Sequence, residues 1–252
     1  MIKPIHPPYI IIGMHRSGTT MLVKIMKEAG IFMGNDLWDN QESIYFHRLS
    51  ERMLEEHGGD WLHPVVVNHT EKHHFQSWEM IKSYTYKRYP MDILKVFFTR
   101  QWGFKNPRTT YTLPYWLSIF PNAKVINIYR NGMDVALSLW TRNKKHHDQG
   151  SPFKQELYDK IFGLKLWEQY VAQAAFYEPL LKDRMITLQY EKLVNDDADS
   201  VMLLEKFTGK SFREAIQKIS ERDRTGRYNL PEHQALREAA AQSEWMQKLG
   251  YI

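Results

Sequence analysis

The sequence has no cysteine among its 252 residues, which excludes disulfides and thiolate chemistry. No run approaches the roughly twenty uncharged apolar residues of a membrane span. Met1 to Pro8 has neither the apolar core segment nor the small-residue cleavage site of a signal peptide, so a cytoplasmic location is expected. Repeats, low-complexity tracts and proline-rich linkers are also missing, and residues 1–252 therefore read as one domain. Positive charge is in only modest excess, with a net charge of +5 and a pI near 9.1. Basic residues are scattered and cluster only at Arg142 to Lys145, which suits an anionic ligand and argues against nucleic acid. Aromatic residues are plentiful: 12 Phe and 8 Trp are enough to fill a sizeable core.

The chain is organised around Tyr9 to Thr20, YIIIGMHRSGTT. Ile10, Ile11 and Ile12 form the continuous apolar run of a strand covered on both faces, and Gly13 ends it. From Thr19 onward, Met21, Leu22, Ile25, Met26 and Ala29 share one helical stripe, with Gly30 as the C-terminal stop. Such a loop turns several backbone N–H groups toward one point at a helix N-terminus, where an anion is favoured. The frame Gly13-x4-Gly18-Thr19-Thr20 is that of the nucleotide-binding P-loop, but Thr19 stands where GxxxxGK[ST] requires lysine. The cation comes earlier, at Arg16. A tight strand-to-helix turn holding no ligand fits these residues equally well. Loop, hydroxyls and arginine together resemble the 5′-phosphosulfate loop of the sulfotransferase family, enzymes that use 3′-phosphoadenosine 5′-phosphosulfate (PAPS).

Further stretches extend the resemblance. Gln41 to Glu56 is expected to be helical, which puts Glu42 in the first turn, where a carboxylate also complements the helix dipole by a few tenths to about 1 kcal/mol. His69 and His73 have the i, i+4 spacing of a helical metal pair. However, Thr70 stands where H-E-x-x-H has glutamate and no third ligand is evident, so solvated histidines on a helix from Glu71 to Tyr89 are the better reading. Gln101 to Thr109, QWGFKNPRT, ends a short strand with Lys105 and Arg108 at the sheet edge where open α/β folds bind ligands; exposed charges on an ordinary turn are the alternative. This stretch resembles the family's G-x-K-x-P segment. Val125 to Tyr129 is a second buried strand with Arg130 at its tip, and Asp134 to Arg142 is a helix carrying Ser138. The Arg130-x7-Ser138 spacing resembles the family's 3′-phosphate site, with Asn131-Gly132 in place of the frequent x-Pro. His146 to Pro152 reads as a mobile loop, Gln155 to Tyr177 as a long helix and Met185 to Gln189 as another core strand. Tyr190-Glu191-Lys192-Leu193 is similar to the family's Y-E-x-L. Gly226, flanked by Arg224 and Arg227, resembles the C-terminal loop that closes over the nucleotide.

The resemblance covers nearly the whole chain and implies an α/β, three-layer, P-loop-like fold on a central parallel sheet of about five strands flanked by helices. It implies a bacterial-type, PAPS-dependent transferase whose product is 3′-phosphoadenosine 5′-phosphate (PAP), with no metal required. By the same resemblance Ser17, Gly18, Thr19 and Thr20 would hold the 5′-phosphate, with Arg16 and Lys105 stabilising the transferring group. Arg130 and Ser138 would hold the 3′-phosphate, and Arg224, Gly226 and Arg227 would cover the nucleotide. Glu42 would take the acceptor's proton, with Asp36, Asp39 and His47 as the other proton acceptors nearby in sequence. Residues 34–40, 57–74 and 146–152 would line an acceptor pocket compatible with a small molecule, glycan, lipid or peptide. A P-loop kinase and a non-catalytic PAP-binding paralogue are the competing readings.

Overall fold

The computed structural model describes residues 6–68, 79–81, 83, 101–219, 226 and 229–252. Four strands, β1 (Tyr9–Ile12), β2 (Gly103–Lys105), β3 (Lys124–Tyr129) and β4 (Met185–Gln189), form one parallel sheet in the order β2-β1-β3-β4. The central β1 consists entirely of buried residues, as a strand with helices on both faces requires. Its side chains alternate between two cores. Ile10 and Ile12 join Phe46, Trp116, Leu139 and Trp167 on one face, while Tyr9 and Ile11 join Leu22, Ile25, Leu193, Leu204 and Phe212 on the other. The three layers are therefore those expected. The sheet has four strands among the described residues rather than about five. The apolar Val65–Val67 run does not add a strand, because the Val67 N–H bonds the Tyr111 carbonyl instead of a sheet edge.

Ten helices of the described residues surround the sheet. They are α1 (Thr19–Glu28), α2 (Ile44–Glu56), α3 (Thr109–Ile119), α4 (Gly132–Asp148), α5 (Lys160–Leu181), α6 (Tyr190–Val194), α7 (Ala198–Thr208), α8 (Arg213–Ile219), α9 (Gln234–Ala241) and α10 (Glu244–Lys248). Three differ from expectation for local reasons. α2 starts three residues later than Gln41: Gln41 has a φ of 61°, a left-handed conformation that stops a helix, and Ser43 caps the N-terminus through the Phe46 N–H. α4 starts earlier because Asn131 caps it through the N–H groups of Met133 and Asp134, and it runs on through His146 to Asp148. The expected helix from Gln155 is a 3₁₀ turn (Gln155–Tyr158) followed by α5, whose cap is Asp159. The expected helix from Glu71 to Tyr89, with His69 and His73, lies mostly outside the described residues.

Stacked rings fix α2 against the sheet. Phe46 lies flat on Phe104 of β2 with centroids 3.7 Å apart, and Trp116 meets both rings edge-on. Each such contact is worth about 0.5–1.5 kcal/mol beyond its area. Because Phe104 is next to Lys105 and Phe46 is four residues from Glu42, this packing holds the two charged residues in register.

Candidate active site

In a sheet of four parallel strands all carboxyl ends lie on one edge, the edge where open α/β folds bind ligands. β1 leads into Gly13–Gly18, β2 ends at Lys105, β3 leads to Arg130 and β4 to Tyr190. The first loop is tightly constrained. A Cβ on Gly13 would sit 2.3 Å from the Ile128 carbonyl oxygen, and Arg16 adopts a φ of 72°, rare for a residue with a side chain. Gly18 has a φ of 93° at the N-cap of α1, and no side chain caps that helix. The first-turn N–H groups are therefore left for another acceptor. Ser17 Oγ is buried and has no hydrogen-bond partner among the described residues.

Beside Gly18 a cleft of about 670 Å³ is lined by Arg16, Thr19, Thr20, Arg130 and Ser138 among others. Arg16 Nε donates to Ser138 Oγ at 2.8 Å, tying the first loop to α4. Arg130 is buried, with its guanidinium carbon 4.8 Å from the centre of the Tyr190 ring and Nη2 3.5 Å from Asp134 Oδ2. Asp134 Oδ2 also accepts the Gly226 N–H at 3.1 Å, so Gly226 itself lies on the Arg130 side of the cleft. Arg224 and Arg227 lie outside the described residues.

Glu42 is not in the first turn of α2. It precedes the cap, in a tight hairpin where Leu37 pairs with Ser43 and Trp38 bonds the Glu42 carbonyl. Only 2% of Glu42 is exposed, and the same is true of Lys105, whose Nζ donates to Glu42 Oε1 at 3.1 Å and to the Asn40 carbonyl at 2.8 Å. The Asn40 carbonyl also accepts from Thr20 Oγ1 at 2.8 Å, which links α1, the hairpin and β2 at one atom. Glu42 Oε2 lies 2.9 Å from His47 Nδ1. Since an ionised carboxylate only accepts, Nδ1 carries the hydrogen, and Arg108 Nη1, 3.4 Å from the same nitrogen, finds no lone pair there. His47 Nε2 in turn faces half-exposed Glu51 at 3.6 Å. Burial opposes ionisation of Glu42, but the His47 hydrogen bond and the Lys105 charge outweigh it and hold the carboxyl well below its usual range. Burial lowers Lys105, while Glu42 opposes that shift. Asp36 is raised by burial despite hydrogen bonds from the Tyr45 N–H and Ser43 Oγ. Those bonds make Asp36 the organiser of the α2 N-terminus, and Asp39 is exposed.

The structure thus brings Arg16, Ser17, Gly18, Thr19, Thr20, Lys105, Glu42, Arg130, Ser138 and Gly226 to one edge. Sequence reasoning included Asn40 only as the end of a pocket-lining loop and missed the link that its carbonyl makes between Thr20 and Lys105. It also missed Arg142, although its place four residues after Ser138 on a helix signals that both share a face. Among the described residues no group of three or more His, Asp or Glu is arranged to hold a metal, and no helix is long and apolar enough to cross a membrane.

Gly18 carries a test of the loop. A Cβ there would lie 2.2 Å from the Tyr190 ring, whereas Gly30, with a φ of 82°, has nothing within 4 Å. Gly30→Ala should cost only the left-handed penalty of about 1–2 kcal/mol. Gly18→Ala adds overpacking, for about 2–5 kcal/mol in total. Urea denaturation showing equal losses would mean that Tyr190 moves aside freely.

An uncapped helix N-terminus thus faces a cleft of arginines and hydroxyls at the carboxyl edge of a parallel sheet, in a three-layer α/β fold. The sulfotransferase family model matches residues 7–214, and the chain belongs to that family. The fold is similar to that of sulfotransferase STF9 from Mycobacterium avium, with 13% identity, a TM-score of 0.56, and 97% of this chain and 77% of that one covered. A sulfotransferase from Alicyclobacillus acidocaldarius gives 16%, 0.54, 94% and 90% for the same measures. The sulfotransferase domain of the Synechococcus PCC 7002 olefin synthase gives 18%, 0.52, 92% and 83%. No curated protein sequence matches the chain.

Proposed function

We propose that the protein is a cytoplasmic, bacterial-type sulfotransferase, one domain over residues 1–252, that moves a sulfuryl group from PAPS to a hydroxyl or amine. The observation that carries this reading is the joining of two anion-binding corners to a buried Glu42–Lys105 pair: Arg16 bonds Ser138, and the Asn40 carbonyl bonds both Thr20 and Lys105. The α1 N-terminus with Ser17, Gly18, Thr19 and Thr20 holds the 5′-phosphate, while Arg130 and Ser138 hold the 3′-phosphate. Gly226, with Arg224 and Arg227 beside it in sequence, covers the nucleotide.

In the reaction an acceptor oxygen forms a bond to sulfur as the bond from sulfur to the 5′-phosphate oxygen breaks. The electron pair leaves with PAP, and the acceptor's proton passes to Glu42. Lys105 and Arg16 face the charge that grows on the sulfuryl and phosphate oxygens, where fixed cations do most of the work.

PAP should raise the melting temperature, with a stabilisation of about 2.7 kcal/mol at a hundred times its Kd. ATP with Mg²⁺ should do so far less, because Thr19 replaces the P-loop lysine. A thermal-shift series in which ATP equals or exceeds PAP would favour a kinase. PAP binding without transfer to any acceptor would favour a non-catalytic paralogue.

A further inference from the structure

A second cavity of about 290 Å³ adjoins the donor cleft, with Arg142 and His146 lining both. It is at the small end of ligand pockets, which span about 300–1,000 Å³. Glu42 lines it, so a hydroxyl placed there meets the base. The rest of the wall combines aromatic faces and cations. Trp38, Trp61 and Phe153 supply the faces, and Arg108, Arg142 and Lys154 supply the charge. Glu42 is the only carboxylate in this wall among the described residues, and it is already engaged by Lys105 and His47.

The three cations are not equally committed. Arg108 Nη2 donates to Glu51 at 3.3 Å, and Lys154 Nζ lies 3.9 Å from Asp60. Arg142 is exposed and forms no hydrogen bond or ion pair among the described residues. It stands one helical turn beyond Ser138, and its charge opposes protonation of both His15 and Lys105, as expected of a guanidinium facing the site. Within this cavity a neutral acceptor would offer the guanidinium no partner, leaving it to solvent and to the donor on its other side. Trp61 meets His15 edge-on at 4.8 Å and Trp38 meets His47 at 4.3 Å, so both indoles are braced by neighbouring rings.

We propose that the acceptor is an anion: a flat arene or sugar ring, packed on Trp61 and Trp38, that presents its hydroxyl to Glu42 and a carboxylate, sulfate or phosphate to Arg142. This inference rests on the sulfotransferase reading of the donor cleft. Charge-assisted pairing with the guanidinium supplies selectivity, and the aromatic faces accept either kind of ring.

The test is binding to the PAP-loaded protein, followed by tryptophan fluorescence or calorimetry, with two matched pairs of probes. One pair is 4-hydroxyphenylacetate and its amide; the other is methyl β-glucuronide and methyl β-glucoside. In at least one pair the anion should bind on the order of tenfold tighter than its neutral partner, and the pair that responds tells arene from sugar. Arg142→Gln, at an exposed position that does not threaten folding, should bring the ratio to within about threefold of unity. Lys154→Gln, outside the donor cleft, should lower it part of the way. Equal binding of neutral and charged members, no binding of either anion below about 10 mM, or a ratio that survives Arg142→Gln would overturn the proposal. PAP binding in the same samples separates the two levels of argument: its absence removes the donor reading and this inference with it. If PAP binds without an anion preference, only this inference falls.

Discussion

Glu42→Gln is expected to lower sulfuryl transfer by about 10²–10⁴-fold, the usual contribution of a positioned general base. It should also cost stability, because Lys105 is buried against Glu42 at 3.1 Å and would lose its counter-charge. Removing one partner of a buried pair typically costs about 3–5 kcal/mol, and the amide oxygen that still accepts from Lys105 puts this change at the lower end, near 3. The two effects separate in the double variant Glu42→Gln/Lys105→Met, which should recover much of the stability and none of the catalysis. The stability effect has a defined pH window. A carboxyl whose folded pKa is depressed contributes stability above its unfolded value, near 4.3, and that contribution is lost as pH falls through the folded value. The gap between wild type and Glu42→Gln should therefore be constant at neutral pH and close below about pH 4. Turnover within a few-fold of wild type, measured on folded variant, would assign Glu42 a purely structural role and direct attention to Asp39 and His47.

On the proposed reading, the depressed Glu42 gives Lys105 a part in the reaction. A carboxylate held so far below neutrality is a weak base, whereas the best general base has a pKa near the working pH. If Lys105 turns from Glu42 toward the transferring group once the donor is bound, one cation is drawn to the growing charge and the base strengthens at the same moment. The Asn40 carbonyl, which already accepts from both Thr20 and Lys105, would give the ammonium a second anchor during that turn.

Local patterns revealed as much of this site as they could encode. The run of three isoleucines, the glycine pair around Arg16 and the helical stripe after Thr19 specify strand, loop and helix within one short stretch, and β1 and α1 formed there. The sequence put Arg130 at a strand tip and Ser138 two turns into the next helix, and the two do line one cleft. Glu42 was legible as a residue but misplaced, since nothing in its neighbourhood announces that Gln41 will turn left-handed and Ser43 will take the cap. The pairing with His47 and Lys105 was not legible. It depends on α2 docking against β2 through Phe46 and Phe104, partners too far apart in sequence for any local pattern to pair them. The Arg16–Ser138 bond and the cavity wall around Arg142 are invisible to spacing rules for the same reason: they exist only after the sheet has brought three strand ends together.

Arg130→Ala should weaken PAP by roughly 10- to 150-fold, because a charge-assisted hydrogen bond contributes about 1.5–3 kcal/mol. The same change should leave adenosine 5′-phosphosulfate, which lacks the 3′-phosphate, close to wild type. The prediction rests on how the guanidinium is held. Packing over the Tyr190 ring fixes its plane, and Asp134 lies at 3.5 Å while also bonding Gly226, so the cation is oriented before any ligand arrives. Arg130→Lys keeps the charge but loses the planar fork and the stacking, and should fall between alanine and wild type. Calorimetric titration of both nucleotides into all three proteins checks the ordering. Loss of both ligands to the same extent in Arg130→Ala would mean that Arg130 only supports Asp134 and its bond to Gly226, and the 3′-phosphate would then have to be held from elsewhere in the cleft.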